Sequence, residues 1–421
     1  MPLTSRERLR RVLNREAADR IPVDFGGTSV TGIHVRMVDL LRRLYGLPAE
    51  PVKVVEPYQM LGEVKADLRQ AMGIDVVGIS ARTTMFGFEN CGWREFRTFW
   101  GQVVLVPEKF QTSLDENGDL LIYPEGDRSA PPSGRMPSAG FFFDTIVRQD
   151  PIDESALDPA QNLEEFEPLG EADLAHWKAA VAALEGSTEG VIANVGGTAL
   201  GDIALVPGPF MKHPKGIRDI AEWYMTTKAR PEYVHAVFDK QADIAIERLR
   251  AVHAIAGDVV QAVFLCGTDF GTQDSQFLSP AAFRELYLPY YRRMNDWIHR
   301  HTTWKSFKHS CGSVAPLIAS FADAGFDILN PVQIGAARMD PQRLKDEYGA
   351  RVIFWGGGVD TQKVLPFGTP AEVEAHVRRQ CDILGRDGGF VFTTVHNVQA
   401  NVPVENVVAM IEAVRNFNGT R

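Results

Sequence analysis

The sequence of 421 residues lacks the features that define several large classes of protein. No uninterrupted apolar run approaches the roughly 20 residues that span a bilayer, so we expect no membrane segment. The first twenty residues are charged throughout and contain no apolar signal region, which predicts that the protein is not exported. The net charge is -10, and this acidic balance argues against a general nucleic-acid binder.

Cysteine is also scarce, and two common nucleotide motifs are missing. The four cysteines, Cys91, Cys266, Cys311 and Cys381, are too scattered to suggest a disulfide framework. We therefore predict reduced thiols and a cytoplasmic protein. No GxGxxG turn opens a helix after an early strand, and the glycines match no P-loop, so a dinucleotide fold and a phosphate cradle are both disfavoured.

The chain alternates strand-like and helix-like segments along most of its length. About eight apolar strand candidates, beginning with residues 21–27 and 75–80, each have a helical segment before the next strand. This rhythm predicts the α/β class and a (β/α)8 TIM barrel, with residues 1–421 forming a single barrel domain. The continuous apolar strands favour a parallel sheet that is buried on both faces. A doubly wound open sheet is the alternative.

Several local patterns allow more specific predictions. Helical spacing predicts a helix over residues 60–72, and Pro289 is expected to kink the helix that Ser279 caps. Residues from about 82 to 170 interrupt the alternation after the second strand. The pair Asn117 and Gly118 lies there between two β-type runs and indicates a hairpin, so this insertion subdomain is predicted to be rich in β-structure.

The insertion contains many aromatic residues, for which we consider two interpretations. These residues are Phe86, Phe88, Trp93, Phe96, Phe99, Trp100, Phe110, Tyr123 and residues 141–143. In the first interpretation they form the small core of a β-rich extension. In the second, several of them line a lid over an apolar or aromatic substrate.

The most informative stretch is WKSFKHSCG, at residues 304–312. Phe307, His309 and Cys311 stand at alternate positions, and side chains two apart on a strand point to the same face. An imidazole and a thiol would therefore lie side by side where Gly312 ends the strand. This pattern predicts two metal ligands and a third ligand elsewhere in the chain.

In a barrel of this type the working residues lie at the carboxyl ends of the strands. The polar residues at the predicted strand ends are Asp24, Ser80, Asn194, Asp269, His309, Cys311, Gln333, Asp360 and His396. Many such residues cap a turn or helix, and we expect this of Asp360. Catalytic zinc takes three protein ligands and keeps one position open. We therefore predict a zinc site formed by His309, Cys311 and His396.

Four segments resemble those of a known family: KHSCGSV, DFGTQ, GGGVDTQ and HNVQANVPVENVVAMIEA. They are similar to segments of the uroporphyrinogen decarboxylase superfamily, and specifically of its zinc- and cobalamin-linked methyltransferase branch. The resemblance runs from Pro22 to the C-terminus and is weakest across the insertion. It implies a (β/α)8 barrel with the active site at the C-terminal mouth.

The chain departs from the pattern of the superfamily in two places. The zinc motif of the branch is HxC followed far downstream by a GC pair before a PxEN helix, and Val395 and His396 stand where that pair is expected. The third-ligand role falls to His396 because imidazole is an ordinary zinc ligand. The decarboxylases carry an arginine-rich MRQAGRY motif after the first strand, where this chain reads DFGGTSVTGIHVR. The second departure favours the methyltransferase branch.

The resemblance implies a zinc-dependent methyltransferase, or demethylase. It would move a methyl group from a small methoxylated or N-methylated compound to a corrinoid (cobalamin), either free or on a corrinoid protein. Zinc would act as a Lewis acid on the atom that leaves the methyl group. Asp269 is our candidate for orienting the substrate or protonating the leaving group, and capping of the next turn is its alternative role.

Other functions stay open at this point. One is a decarboxylase that acts on a porphyrin-like or other multi-carboxylate substrate. Another is a methyltransferase that passes the methyl group of methylcobalamin to a thiol or tetrahydrofolate, and a third is a corrinoid-binding protein without catalysis. We expect no nucleic-acid or membrane partner, and a homodimer is a further alternative.

Overall fold

The computed structural model of the protein describes residues 2–419. The predicted domain span of residues 1–421 includes Met1, Thr420 and Arg421, which lie outside the described residues. None of the helices within the described range combines the length and the apolar character that crossing a bilayer requires.

The strands and helices have the following bounds. The strands are β1 (Val52–Glu56), β2 (Leu61–Gly62), β3 (Val76–Ile79), β4 (Arg94–Arg97), β5 (Val103–Val106), β6 (Thr112–Leu114), β7 (Leu120–Ile122), β8 (Gly134–Met136), β9 (Asp144–Thr145), β10 (Gly190–Asn194), β11 (Ala262–Cys266), β12 (Lys305–His309), β13 (Ile328–Asn330), β14 (Ile353–Trp355) and β15 (Phe390–Val391). The helices are α1 (Ser5–Leu13), α2 (Val35–Leu44), α3 (Ala66–Met72), α4 (Glu171–Ala182), α5 (Ile220–Ala229), α6 (Pro231–Ala256), α7 (Pro280–Leu286), α8 (Leu288–His301), α9 (Ala315–Asp323), α10 (Pro341–Tyr348), α11 (Val364–Phe367), α12 (Pro370–Leu384) and α13 (Val404–Gly419).

Seven parallel strands form the barrel wall in the order β3, β10, β11, β12, β13, β14 and β15. The segment that precedes β1 closes the ring between the two outer strands of this sheet. Val23 forms a parallel bridge with Phe392, whose N–H donates to the carbonyl of Pro22 at 2.8 Å. On the other side, the N–H of Asp75 donates to the carbonyl of Val23 at 2.8 Å. The predicted α/β class and (β/α)8 barrel are confirmed.

The barrel interior is filled by alternate residues of the strands, because successive side chains of a strand point to opposite faces. The buried interior side chains are Val76, Ile192, Ala262, Phe264, Phe307, Ile328, Ile353, Trp355 and Val391. Helix α1 closes the N-terminal end of the barrel with Leu9, Val12 and Leu13. Helix α1 therefore covers this end, and we refer to the opposite end, where the carboxyl ends of the strands lie, as the barrel mouth.

The β-rich insertion follows β3, the second strand of the barrel wall, as predicted. It contributes strands to two sheets, one in the order β2, β1, β5, β4 and one in the order β6, β7, β8, β9. Strands β6 and β7 form the expected hairpin around Asn117 and Gly118, and Gly118 adopts a φ of 79° that suits the turn. Strand β1 lies before residue 82 and pairs with β5. A subdomain boundary at about residues 82–170 stays a prediction.

Most of the large aromatic residues of the insertion pack against one another. Phe86, Phe88, Phe110 and Phe143 are each at most 1% exposed. The ring of Phe143 lies 5.7 Å from that of Phe86 and 6.1 Å from that of Phe110. These contacts favour the interpretation in which the aromatics form the core of the extension.

Two local predictions have different outcomes. The helix predicted over residues 60–72 is wrong in its first part, because Met60 adopts a φ of 53° and Gly62 pairs with Val54 in a short antiparallel ladder. Helical structure begins only at Ala66. The predicted kink is confirmed as a break, since α7 and α8 are separated at Tyr287, two residues before Pro289.

Gly78 on β3 packs closely against the main chain of Gly27. A Cβ on Gly78 would lie 2.1 Å from the carbonyl oxygen of Gly27, and main chain cannot move aside as a flexible side chain can. We expect Gly78→Ala to lower the free energy of unfolding by about 1–3 kcal/mol in urea titrations. The control is Gly170→Ala, where a Cβ would meet its nearest atom at 3.7 Å. Wild-type stability of Gly78→Ala would contradict the close approach.

Candidate metal centre at the barrel mouth

His309 is the last residue of β12 and shares the inward face of that strand with Phe307. It is directly opposite Asn330, the last residue of β13, in the parallel register. The Nδ1–H of His309 donates to Asn330 Oδ1 at 2.5 Å. The side-chain amide of Asn330 in turn donates to the carbonyl of Trp355 at 2.7 Å, and this fixes which of its atoms faces the imidazole. The ring of His309 is therefore held in one orientation.

This hydrogen bond leaves the Nε2 lone pair of His309 available to a ligand, because the proton of the neutral ring resides on Nδ1. Cys311 Sγ lies 3.4 Å from Nε2. A histidine whose second nitrogen is fixed by an oxygen acceptor is the usual arrangement at metal sites.

Two hydrogen bonds hold the loop that carries Cys311. Its N–H donates to Asp269 Oδ1 at 2.6 Å, and the N–H of Gly312 donates to Gln333 Oε1 at 2.6 Å. The same Asp269 oxygen lies 3.6 Å from His309 Nε2. Asp269 lies in the loop after β11, and its Oδ1 is placed between the N–H of Cys311 and the imidazole of His309.

His396 approaches from the segment after β15, on the far side of the mouth. Its ring centroid lies 5.6 Å from that of His309, and the ligand atoms of His309, Cys311 and His396 all lie within 4.8 Å of one another. The structure therefore brings the three predicted ligands together with Asp269 beside them. Two imidazoles and one thiol are a donor set that zinc accepts.

The protonation states of these residues follow from their burial. Burial lowers the pKa of His309 and that of His396 to about 4, so both imidazoles are neutral near pH 7. Burial and the charge of Asp269 raise the pKa of the Cys311 thiol well above its usual value. Burial also raises the pKa of Asp269. The site holds two ready nitrogen donors and a thiol whose proton a bound dication would displace.

Sequence reasoning missed the buried lysine beneath the site. Lys308 points to the outer face of β12 and is fully buried; its Nζ donates to the carbonyls of Thr268 at 2.6 Å and His309 at 2.5 Å. The same Nζ lies 4.7 Å from the ring centroid of Phe270 and 5.3 Å from that of Phe321. The signal in the sequence was a lysine between Phe307 and His309, which share one face of the strand.

Asp202 is a second functional candidate that the sequence did not single out. It lies in the loop after β10, and burial together with the neighbouring charge of Asp269 raises its pKa to about 6. The signal was a Gly-Asp pair at the end of a glycine-rich loop that follows a barrel strand.

The remaining predicted strand-end residues hold turns. Asp24 is fully buried and accepts hydrogen bonds from the indole of Trp355 and the N–H of Gly27, both at 2.9 Å. Asp360 Oδ1 accepts from the two main-chain N–H groups that follow Thr361, at 2.7 and 2.9 Å, as predicted for a cap. Asn194 accepts from the N–H two residues later. Ser80 contributes its carbonyl oxygen, to His176.

A cavity of about 500 Å³ at the opposite end of the barrel is a weaker candidate. It is lined by residues that include His299, Trp304, Lys305 and Asp327. The imidazole of His299 is paired with Asp327 at 2.8 Å, and the same carboxylate accepts from the N–H of Ser306. Since active sites of this fold occupy the carboxyl ends of the strands, we place the chemistry at the mouth.

Comparisons with known proteins identify the family of the chain. The family model described as uroporphyrinogen decarboxylase (URO-D) matches residues 159–417. The chain is 24% identical over 234 residues to the uroporphyrinogen decarboxylase of Anaeromyxobacter dehalogenans, covering 52% of this chain and 61% of the relative. It is 29% identical over 191 residues to that of Methylococcus capsulatus, covering 45% and 50%. The chain thus spans between half and two thirds of the length of these relatives.

A solved structure resembles the whole chain. The methyltransferase from Methanosarcina mazei aligns with 99% of this chain and 99% of its own, with a TM-score of 0.55 and 18% sequence identity. At this identity the likeness concerns the fold.

The buried imidazole of His396 contributes a pH-dependent term to the stability of the metal-free protein. A histidine of an unfolded chain has a pKa near 6.5, whereas that of His396 is about 4 in the folded state. The unfolded state therefore binds the extra proton at this residue first, and the contribution of His396 to stability falls as the pH falls from about 6.5 to about 4. We expect His396→Gln to reduce the slope of unfolding free energy against pH by up to one proton, about 1.4 kcal/mol per pH unit.

Urea unfolding of the metal-free protein between about pH 7 and pH 5 measures this slope. The control is His301→Gln at the C-terminal end of α8, which removes an imidazole from an exposed residue instead of a buried one. A His396→Gln slope equal to that of the wild type would contradict a buried, neutral ring.

Proposed function

Because the chain belongs to the uroporphyrinogen decarboxylase family, we propose that it is a zinc-dependent methyltransferase of that family. It moves a methyl group from a small methoxylated or N-methylated compound to a corrinoid, with a corrinoid protein as partner. The observation that carries this proposal is the cluster of two imidazoles and one thiol at the barrel mouth. A metal-free decarboxylation gives no reason for such a donor set.

The residues fit a zinc ion in chemistry as well as in position. His309 has its Nδ1–H engaged by Asn330 and presents Nε2, next to Cys311 Sγ. His396 supplies the third donor, which leaves one position for the substrate. Zinc bound there supplies a Lewis acid that stabilises the charge developing on the atom that loses its methyl group.

In the reaction the carbon–oxygen or carbon–nitrogen bond of the methyl donor breaks, and its electron pair remains on the leaving atom. The methyl carbon forms its new bond with the electron pair of corrinoid cobalt(I), which is the methyl acceptor. Asp269 holds the loop of Cys311 through one oxygen and is 29% exposed, so its carboxyl group can reach a substrate in the mouth. Its raised pKa suits a group that delivers a proton to the leaving atom.

The second candidate function is decarboxylation of a multi-carboxylate substrate, which the names of the curated relatives favour. The charges at the mouth oppose it. Asp202 is a carboxylate in the loop after β10, and its charge would repel a substrate that carries several negative charges. A methyltransferase acting on a neutral or cationic donor meets no such repulsion.

Metal analysis tests the proposed site directly. We expect about one zinc per purified chain, and loss of the metal in His309→Ala, Cys311→Ser and His396→Ala. Zinc binding should release about one proton, from Cys311, because the two imidazoles are already neutral at pH 7. Calorimetry in buffers of different ionisation enthalpy counts that proton.

The matched control for the thiol is Cys91→Ser, since Cys91 is exposed and lies in the insertion. It is expected to retain zinc. An active protein that contains no metal, or a Cys311→Ser variant that binds zinc as the wild type does, would overturn the proposed site.

Asp269→Asn separates the two roles of Asp269. An asparagine can still accept the hydrogen bond of the Cys311 N–H but cannot deliver the carboxyl proton. We expect unchanged zinc content and a loss of turnover of roughly 10²–10⁴-fold, followed from the cobalt(I) spectrum with methyl donors. Asp269→Ala should also disturb zinc binding, because the loop loses its acceptor. Wild-type turnover of Asp269→Asn would show that Asp269 acts only as a cap.

A further inference from the structure

The two carboxylate oxygens of Asp202 differ in their hydrogen bonding. Its Oδ1 accepts a hydrogen bond from the N–H of Ala204 at 3.0 Å, and its main-chain carbonyl accepts from Leu205 and Val206, both at 2.8 Å. The residue is only 8% exposed. Within residues 2–419, Oδ2 has no hydrogen-bond donor, although the loop around it is firmly held.

The free oxygen faces the mouth of the barrel. A Cβ on Gly267, just after β11, would lie 2.7 Å from Asp202 Oδ2 and 3.3 Å from the ring of Phe264. Phe264 belongs to the interior layer, and its ring lies 5.4 Å from that of Phe307, which shares the inward face of β12 with His309. Oδ2 therefore lies beside the aromatic side chains of the barrel interior, Phe264 and Phe307, that precede His309 towards the mouth.

The order of the strands places the charged groups in a row. Asp202 follows β10, Asp269 follows β11 and His309 ends β12, and these three strands are neighbours in the sheet. The free carboxylate oxygen is thus on the side of Asp269 away from His309 and Cys311. A small substrate whose reacting atom lies at the ligands would extend towards Asp202.

The charge balance of this row favours a cationic group. Burial and the charge of Asp269 raise the pKa of Asp202 to about 6, so the carboxylate is still ionised at neutral pH. The nearby ammonium of Lys308 donates to the main-chain carbonyls of Thr268 and His309 and makes no hydrogen bond with Asp202. The Oδ2 of this largely buried carboxylate is open to a charged donor, and a charge-assisted hydrogen bond there would be stronger than one between neutral groups.

We propose that Asp202 Oδ2 binds an ammonium group of the methyl donor. The substrate class is a small molecule with a methylated heteroatom at one end and a protonated amine at the other. The assignment of the two ends depends on the proposed function, since that function places the reacting atom at the metal ligands. The electron-rich ring of Phe264, which borders Oδ2 around Gly267, provides a further surface that suits a cation.

The test measures binding of three probes of similar size to the full-length, zinc-loaded protein by calorimetry. They are 2-methoxyethylammonium, the neutral 2-methoxyethanol and the anionic methoxyacetate. We expect the cation to bind tightest, the alcohol more weakly and the anion least. Asp202→Asn should weaken binding of the cation by roughly tenfold or more and leave the alcohol within about threefold.

The matched control removes a carboxylate charge from an exposed side chain. Asp239→Asn lies on the exposed surface of α6, where Asp239 pairs with Arg293, and it should keep the wild-type order of the probes. Gly267→Ala is a second variant that retains the carboxylate but crowds Oδ2, and it should also weaken binding of the cation. Its melting temperature and zinc content show whether it is folded.

The outcomes distinguish this inference from the proposed function. Equal binding of the three probes to a zinc-loaded, methyl-transferring protein would overturn the role of Asp202 alone, as would an Asp202→Asn variant that keeps the preference for the cation. A protein without zinc or methyl transfer that still prefers the cation and loses that preference in Asp202→Asn would support the binding role while the proposed function fails.

Discussion

The pleat of β12 divides its side chains between two environments, and the candidate site depends on that division. Phe307 and His309 face the barrel interior, whereas Lys308 faces the surrounding helices. A shift of register by one residue would bury the lysine in the barrel and turn the imidazole of His309 away from His396. The parallel pairing of His309 with Asn330 opposes that shift, because it joins the register to a side-chain hydrogen bond. The register of β12 therefore fixes the orientation of the His309 ligand as well.

Closure of the barrel brings His396, which follows a different strand, close to His309 on β12. His396 is far from His309 in sequence. It lies close to His309 because the segment around Val23 pairs beside β15, so that the sheet closes into a barrel and has no open edge there. In an open sheet the two strand ends would lie apart along one edge. The same closure encloses the imidazoles, which lowers their pKa and keeps them neutral as donors. The fold therefore determines the chemistry of the ligands as well as their positions.

The parts of the site that the sequence predicts are those that depend on local spacing. His309 and Cys311 follow from alternation on one strand, and the barrel follows from repeated strands and helices. Asp202 and Lys308 could not be identified in this way, because their importance depends on which strands are neighbours and which face a side chain occupies. The helix predicted from residue 60 failed for a similar reason. Its first turn instead pairs with β1, a tertiary contact that helical spacing does not contain.

The departure at Val395 and His396 has a consequence for reactivity. In the related methyltransferases the resemblance places a cysteine at this position, and a thiolate there would contribute a negative charge to the metal. A neutral imidazole contributes none, so a zinc ion held by His309, Cys311 and His396 would retain one more positive charge and be the stronger Lewis acid. A stronger Lewis acid is the better match to a poorly leaving oxygen or nitrogen than to a thiol, which needs less assistance.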